Sequence, residues 1–215
     1  MKLIIQLVLW IVIGFLGYLL FMSIYEPIQF EKVKKDRYQQ VINKMKDIRD
    51  AQLAFKDVEG VYTSDFDSLT KFLDTARYTL TQRRDTSVLD KEFQKTYGVD
   101  KYVEEIIVDT IGSRSVKDSL FKKGEDYKNF KHVPTTENVQ FTMNADSIYR
   151  NERQIPVFEV KVDKSEILKD QDEAMVQQEK QKISVDDVNG EFITVGSMTE
   201  VNSNGNWPKF YGTEE

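Results

Sequence analysis

The one histidine of this 215-residue chain, His132 in "NFKHVPTT", is where acid–base chemistry near neutral pH would have to start. Its neighbours argue against that use. It lies in a turn-like stretch just before Pro134, and no G-x-S-x-G motif supplies a serine for it to activate, so a surface or turn role is expected. Cysteine is absent, which excludes disulfides, thiol catalysis and cysteine-ligated metals together. No glycine-rich phosphate loop is present. Asp170, Asp172 and Glu173 have a spacing that presents oxygens to calcium, but the glycine and distal glutamate of an EF-hand loop are missing, and a solvated charge run is expected. The sequence therefore predicts a non-enzyme with no catalytic residue, no cofactor and no metal site.

Contact chemistry remains. Lys32, Lys34, Lys35 and Arg37 follow an apolar run closely enough to meet lipid headgroups, where each cation near an anionic leaflet gains about 1 kcal/mol. Arg83 and Arg84 read as an exposed loop. Near the C-terminus, an Asn204-Gly205 turn signal is followed by Trp207, Phe210 and Tyr211. These aromatics either close the edge of a sheet or form a partner contact, as aromatics do at interfaces.

The elements that must position these groups begin with the apolar run itself, Leu3 to Tyr25, uncharged between Lys2 and Glu26. As a helix it extends roughly 35 Å, enough to span a bilayer core of about 30 Å with some tilt. It is too long for the core of a cleaved signal, and no small-residue cleavage site follows. A single-pass, uncleaved anchor in the cell membrane is expected, with residues 1–2 as its tip and 26–37 as a juxtamembrane stalk. The acidic balance, net −6, implies no broad basic surface for phosphates and excludes nucleic acid as a partner. By the positive-inside rule, Lys32 to Arg37 would hold the C-terminal part in the cytoplasm. Those cations alternate with Glu31 and Asp36, however, and an N-terminal anchor followed by the whole domain is the common form of an exported protein. An extracytoplasmic placement is favoured.

From Glu31 to Glu59 there is neither proline nor glycine, and Tyr38, Val41, Met45, Ile48, Gln52 and Phe55 recur at alternating 3-4 spacing. This predicts a helix whose packing face is Tyr38, Val41, Met45, Ile48 and Phe55, with Gln52 interrupting the seam. Residues 31–37 lack the stripe and predict a solvated stalk, kinked at Pro27. Gly60 ends the helix, and Thr63 or Ser64 caps a second one carrying Phe66, Leu69, Phe72 and Leu73. Beyond Thr75 the pattern turns to strands at 78–82 and 103–108, with a short helix ended by Gly98 between them. "VQFTMN" and "IPVFEVKV" predict an antiparallel pair, Phe158, Val160 and Val162 inward, Glu159 and Lys161 outward. A polar excursion at residues 164–190 precedes a last strand at 192–198. A chain of this size buries about 70% of its unfolded surface, so residues 38–215 are expected as one α+β domain without crosslinks.

The apolar helix continuing as an amphipathic one, then Ala51-x-x-x-Phe55, Gly60, Tyr62 and a capped leucine-containing helix, resembles the N-terminal portion of type IV pilins and type II secretion pseudopilins over residues 1–75. The resemblance implies a long helix, half in the membrane and half packed on an antiparallel sheet. It also implies a structural or assembly role in a secretion or pilus-like envelope machine, with other envelope proteins as partners and a homo-oligomer as a possible state. Two departures stand out. Gly14-Phe15 offers a prepilin-type cut, but Leu19 stands where the family has glutamate, and the preceding segment is apolar rather than a basic leader. Thr63 stands where these proteins often place proline. Prepilin processing is therefore not expected. The alternative reading is a cytoplasmic-facing single-pass scaffold that pairs with another protein through its amphipathic helix.

Overall fold

The computed structural model describes residues 2–121 and 127–211. The fold is α+β, with a long N-terminal helix, two small antiparallel sheets and several short helices. Where the sequence predicts a single domain over 38–215, the described residues fall into two compact units, 2–69 with 127–211, and 70–121.

In the first unit, helix α1 (Lys2–Glu59) extends about 87 Å at 1.5 Å per residue. It runs unbroken through Pro27, so no element boundary marks the junction predicted there. Leu3–Tyr25 form a bare apolar surface, and this stretch is long and apolar enough to cross a membrane. Burial begins at Phe30 and Lys34, ahead of the predicted Tyr38, so residues 31–37 are not the solvated stalk expected. Tyr38, Val41, Met45 and Ile48 are buried as predicted, but Phe55 is only half-buried, and Ala51, Gln52 and Ala54 complete the face instead. Gln52 has a reason to be inside. Its amide donates to the Thr63 carbonyl at 2.6 Å and accepts from the Thr63 N–H at 3.2 Å, so one side chain ties down the returning backbone.

Gly60, at φ +80°, ends α1 in the left-handed conformation that its position demands. Helix α2 (Phe66–Thr75) follows, capped by Asp65, which accepts from Ser68 N at 2.8 Å, rather than by Thr63 or Ser64. Thr63 serves one step earlier, its hydroxyl accepting from Asp65 N.

The sheet of the first unit has the order β3-β4-β5, from β3 (Thr142–Arg150), β4 (Arg153–Asp163) and β5 (Phe192–Gly196). The β3–β4 turn is Asn151-Glu152, both at positive φ, which is the two-residue hairpin geometry that matches strand twist. Inward Phe158, Val160 and Val162 are joined by Val157, which breaks the predicted alternation. The predicted Asn204-Gly205 turn does not form. That stretch runs extended along β5, Gly196 N donating to Asn204 O and Asn206 N to Thr194 O, both at 3.0 Å, and thereby satisfies the outer edge of the sheet. The ring of Trp207 lies where a Gly205 side chain would stand.

The predicted polar excursion is folded. Helices α5 (Lys164–Ile167) and α6 (Glu173–Lys180) are capped by Asp163 and Asp172, and Ile167, Leu168, Val176 and Val188 are core residues. The second unit is a ribbon of β1 (Arg77–Leu89) and β2 (Tyr102–Ser115), joined through α3 (Lys91–Tyr97) and followed by α4 (Val116–Leu120). Gly98 ends α3 at φ +66°, as predicted. Arg83 and Arg84 are strand residues paired with Val108 and Ile107, not an exposed loop, because both strands run far beyond their predicted ends.

Candidate functional site

The first unit holds a cluster of ionic groups where α1, just past its bare apolar stretch, meets α5 and α6. Lys34, 2% exposed, donates to Glu31 at 2.8 Å, Glu179 at 3.1 Å and Asp187 at 3.3 Å. Lys164, wholly buried, donates to the Glu179 carboxylate at 3.3 Å and to the carbonyls of Glu179 and Val188 at 3.0 and 2.6 Å. Lys182 closes the group on Asp187 at 2.9 Å. Three ammonium groups thus face three carboxylates, Glu31, Glu179 and Asp187, so the burial is electrically balanced.

The two central lysines respond oppositely to the same site. Burial works against charge on both. At Lys34 the hydrogen bond to Glu31 and the charge of Glu179 outweigh it and hold the pKa above the ordinary lysine value. At Lys164 burial wins, with Glu179 offsetting only part of it, and the pKa lies below the ordinary value. Lys164 is no nucleophile in waiting, since all three of its donor positions are filled and it has no exposed surface. Burial opposes ionisation of Asp187 too, but Lys182 and Lys34 keep its pKa low.

Two tyrosines line the same region. The Tyr38 hydroxyl is buried with no hydrogen-bond partner among the described residues, and burial, reinforced by the Glu179 charge, raises its pKa. Tyr211 is buried and pushed up to about 12, chiefly by burial. Its carbonyl accepts from Lys46 of α1. A cleft of about 420 Å³ lies beside this cluster, with Pro27, Phe30 and Met175 as its apolar part and Glu31, Glu179 and Lys182 as its charged part.

These positions revise the sequence expectations. Of the four juxtamembrane cations, Lys32 and Lys35 face outward. Lys34 is withdrawn into the cluster and cannot serve a headgroup. Arg37 forms a two-pronged pair with Asp170 and donates to Ile167 O at 2.8 Å. Of the three aromatics, Tyr211 is buried and closes the fold, Trp207 is half-buried, and Phe210 remains 46% exposed with Lys35 5.9 Å from its ring. Asp170 and Asp172 are occupied, one by Arg37 and the other capping α6. His132 is exposed in a loop, as predicted. Among the described residues no group of acidic or histidine side chains is arranged to hold a metal.

Sequence reasoning gave Lys34 a different role, at lipid headgroups, and missed Lys164 and Glu179. A signal for Lys34 exists: Phe30, Lys34 and Tyr38 extend the apolar stripe backward in steps of four.

The ribbon of the second unit is a different kind of surface. Val103, Ile106, Ile107, Val108 and Ile111 of β2 are each 41–65% exposed, as are Leu80 and Val88 of β1 at 45% and 44%. Apolar side chains protrude on both faces, because Ile106 and Ile107 are neighbours in the strand. A cross-strand pair, Arg84 with Asp109, ties its middle. No family model matches this chain, and neither a curated protein nor a solved structure matches it.

Proposed function

We propose that this protein is a non-enzymatic, single-pass membrane component of a cell-envelope assembly, pilin-like in outline and acting through protein–protein contacts. The observation that carries the reading is the division of α1. Its first part is bare and apolar over a bilayer's thickness, and its continuation from Phe30 to Ala54 is buried by residues of the same chain. Such a helix serves as both anchor and structural spine, and the Lys34–Glu179–Lys164 cluster fastens the spine to α5 and α6 close to the bilayer. The domain then stands on the extracytoplasmic side, where other envelope proteins and further copies of the chain meet it. The scaffold alternative needs the Tyr38–Ile48 face for a partner helix, and that face is already covered.

The test is carbonate extraction of membranes followed by crosslinking and affinity capture of the full-length chain. Retention in the pellet together with a reproducible set of co-purifying envelope proteins is expected. A chain released by carbonate, or a lone monomer with a turnover activity, would overturn the reading.

A further inference from the structure

Strand β1 has β2 on one side and, among the described residues, no strand on the other. Unpaired edges are usually blunted by charged side chains, lysine above all, by proline or by a bulge. The β1 edge "RYTLTQRRDTSVL" lacks lysine and proline, the one bulge of the ribbon places its extra residue, Ile111, in β2, and the central charges of β1 are of both signs, Arg83 and Arg84 beside Asp85. A two-stranded ribbon is also marginal by itself. Such an edge is open to a strand whose charges answer its own.

The sequence of β1 states what fits. Laid antiparallel on itself about Arg84, the strand places Arg83 opposite Asp85 of the second copy, Gln82 opposite Thr86, Thr81 opposite Ser87 and Leu80 opposite Val88. These four pairs are complementary, opposite charges, polar with polar, hydroxyl with hydroxyl, apolar with apolar, and only the outermost pair within the strand, Thr79 with Leu89, is not. Two-fold symmetry then repeats each of them. The single like pair, Arg84 on the axis with itself, is tolerable because each Arg84 already has Asp109 within its own ribbon. The other edge does not match itself: β2 laid antiparallel on β2 about Ile107 sets Glu105 against Asp109, and about the Ile106–Ile107 midpoint sets Glu104 against Asp109. Like charges directly opposite are destabilising.

We propose that β1 pairs edge to edge with β1 of a second copy of this chain, antiparallel about a two-fold axis at Arg84, to form a four-stranded sheet. The pairing deepens the assembly role proposed above by naming a partner, and rests on that reading for its setting in a membrane. It is a closed contact, because the two-fold uses both β1 edges and leaves only the acidic β2 edges outside.

The absence of cysteine makes the register directly readable. In the full-length chain in detergent, Arg84→Cys is expected to form a disulfide-linked dimer, the axis bringing like residues within cross-strand distance, about 4.5–5.5 Å between Cα atoms. Leu80→Cys and Val88→Cys chains carrying different tags are expected to crosslink when mixed and not when alone, since equal positions then lie about 27 Å apart. Asp85→Arg should weaken dimerisation at least tenfold, and Arg83→Asp combined with Asp85→Arg should restore it. A monomeric full-length chain at tens of micromolar, equal crosslinking of Leu80→Cys with itself, or no rescue by the charge exchange would overturn the proposal. Affinity capture of other envelope proteins by the unsubstituted full-length chain, with its dimerisation measured alongside, separates the two claims. Capture without dimers defeats only the pairing, whereas dimers without capture defeat only the envelope-assembly reading.

Discussion

Glu179 serves two buried lysines at once, with one oxygen for Lys34 and the other for Lys164, and its own carbonyl is a third acceptor. Removing its carboxylate strands charge in the interior, so Glu179→Ala is expected to cost about 3 kcal/mol, in the range for breaking a buried ion pair from one side. Urea unfolding of the detergent-solubilised chain measures it. Tyr38 makes the opposite case. Its hydroxyl is buried and unpartnered among the described residues, so Tyr38→Phe is expected to raise stability by about 1 kcal/mol, where a bonded tyrosine would lose it. Asp170 gives a pH signature. The Arg37 guanidinium holds its carboxyl at about 2, below the ordinary 3.8, so the pair contributes stability above about pH 4 and loses it as pH falls toward 2. Both partners reach solvent, and Asp170→Asn should cost no more than about 1 kcal/mol at pH 7 and clearly less at pH 2, where half of the carboxyl is protonated, which melting curves at the two pH values would read.

Among the elements, β4 and β5 meet at a point with no slack. Gly196 has φ +79°, and a Cβ there would sit 2.2 Å from the Phe158 carbonyl oxygen. Gly196→Ala is therefore expected to lower stability by 2 kcal/mol or more, with the melting temperature as readout, because strain and collision fall on backbone that cannot move aside. Helix α1, the hairpin core at Phe158–Val162 and the stop at Gly60 were legible because each is a local pattern: period 3.6, period 2, or a glycine that the helix end requires. The segment 164–190 was opaque for a physical reason. Its charges are buried in pairs with α1, and pairing across more than a hundred residues leaves no local trace. The length of β1 was hidden in the same way, because the polar residues of β1 sit opposite apolar ones of β2 and neither strand alternates cleanly. The Asn204-Gly205 signal misled because an open sheet edge outbids a turn for the same backbone groups.

At the scale of the molecule, the bare stretch of α1 is long and apolar enough to cross a membrane, and the proposed anchoring rests on it. A chain beginning at Ile28 keeps Phe30 and Lys34 and the whole buried cluster. It is expected to remain in the supernatant with the near-ultraviolet circular dichroism of the full-length chain, while the full-length chain sediments with membranes. The two compact units carry different contacts, ionic and internal in one, apolar and exposed in the other.

Because α1 runs without a break from its bare stretch into the clamp at Lys34, it acts as a lever with no joint. In the anchored protein proposed above, a thin bilayer that makes the rod lean makes the folded load lean with it. Membrane thickness thereby becomes an angle at which the attached sheet and helices are presented, and a sideways pull on them is felt among the lipid tails.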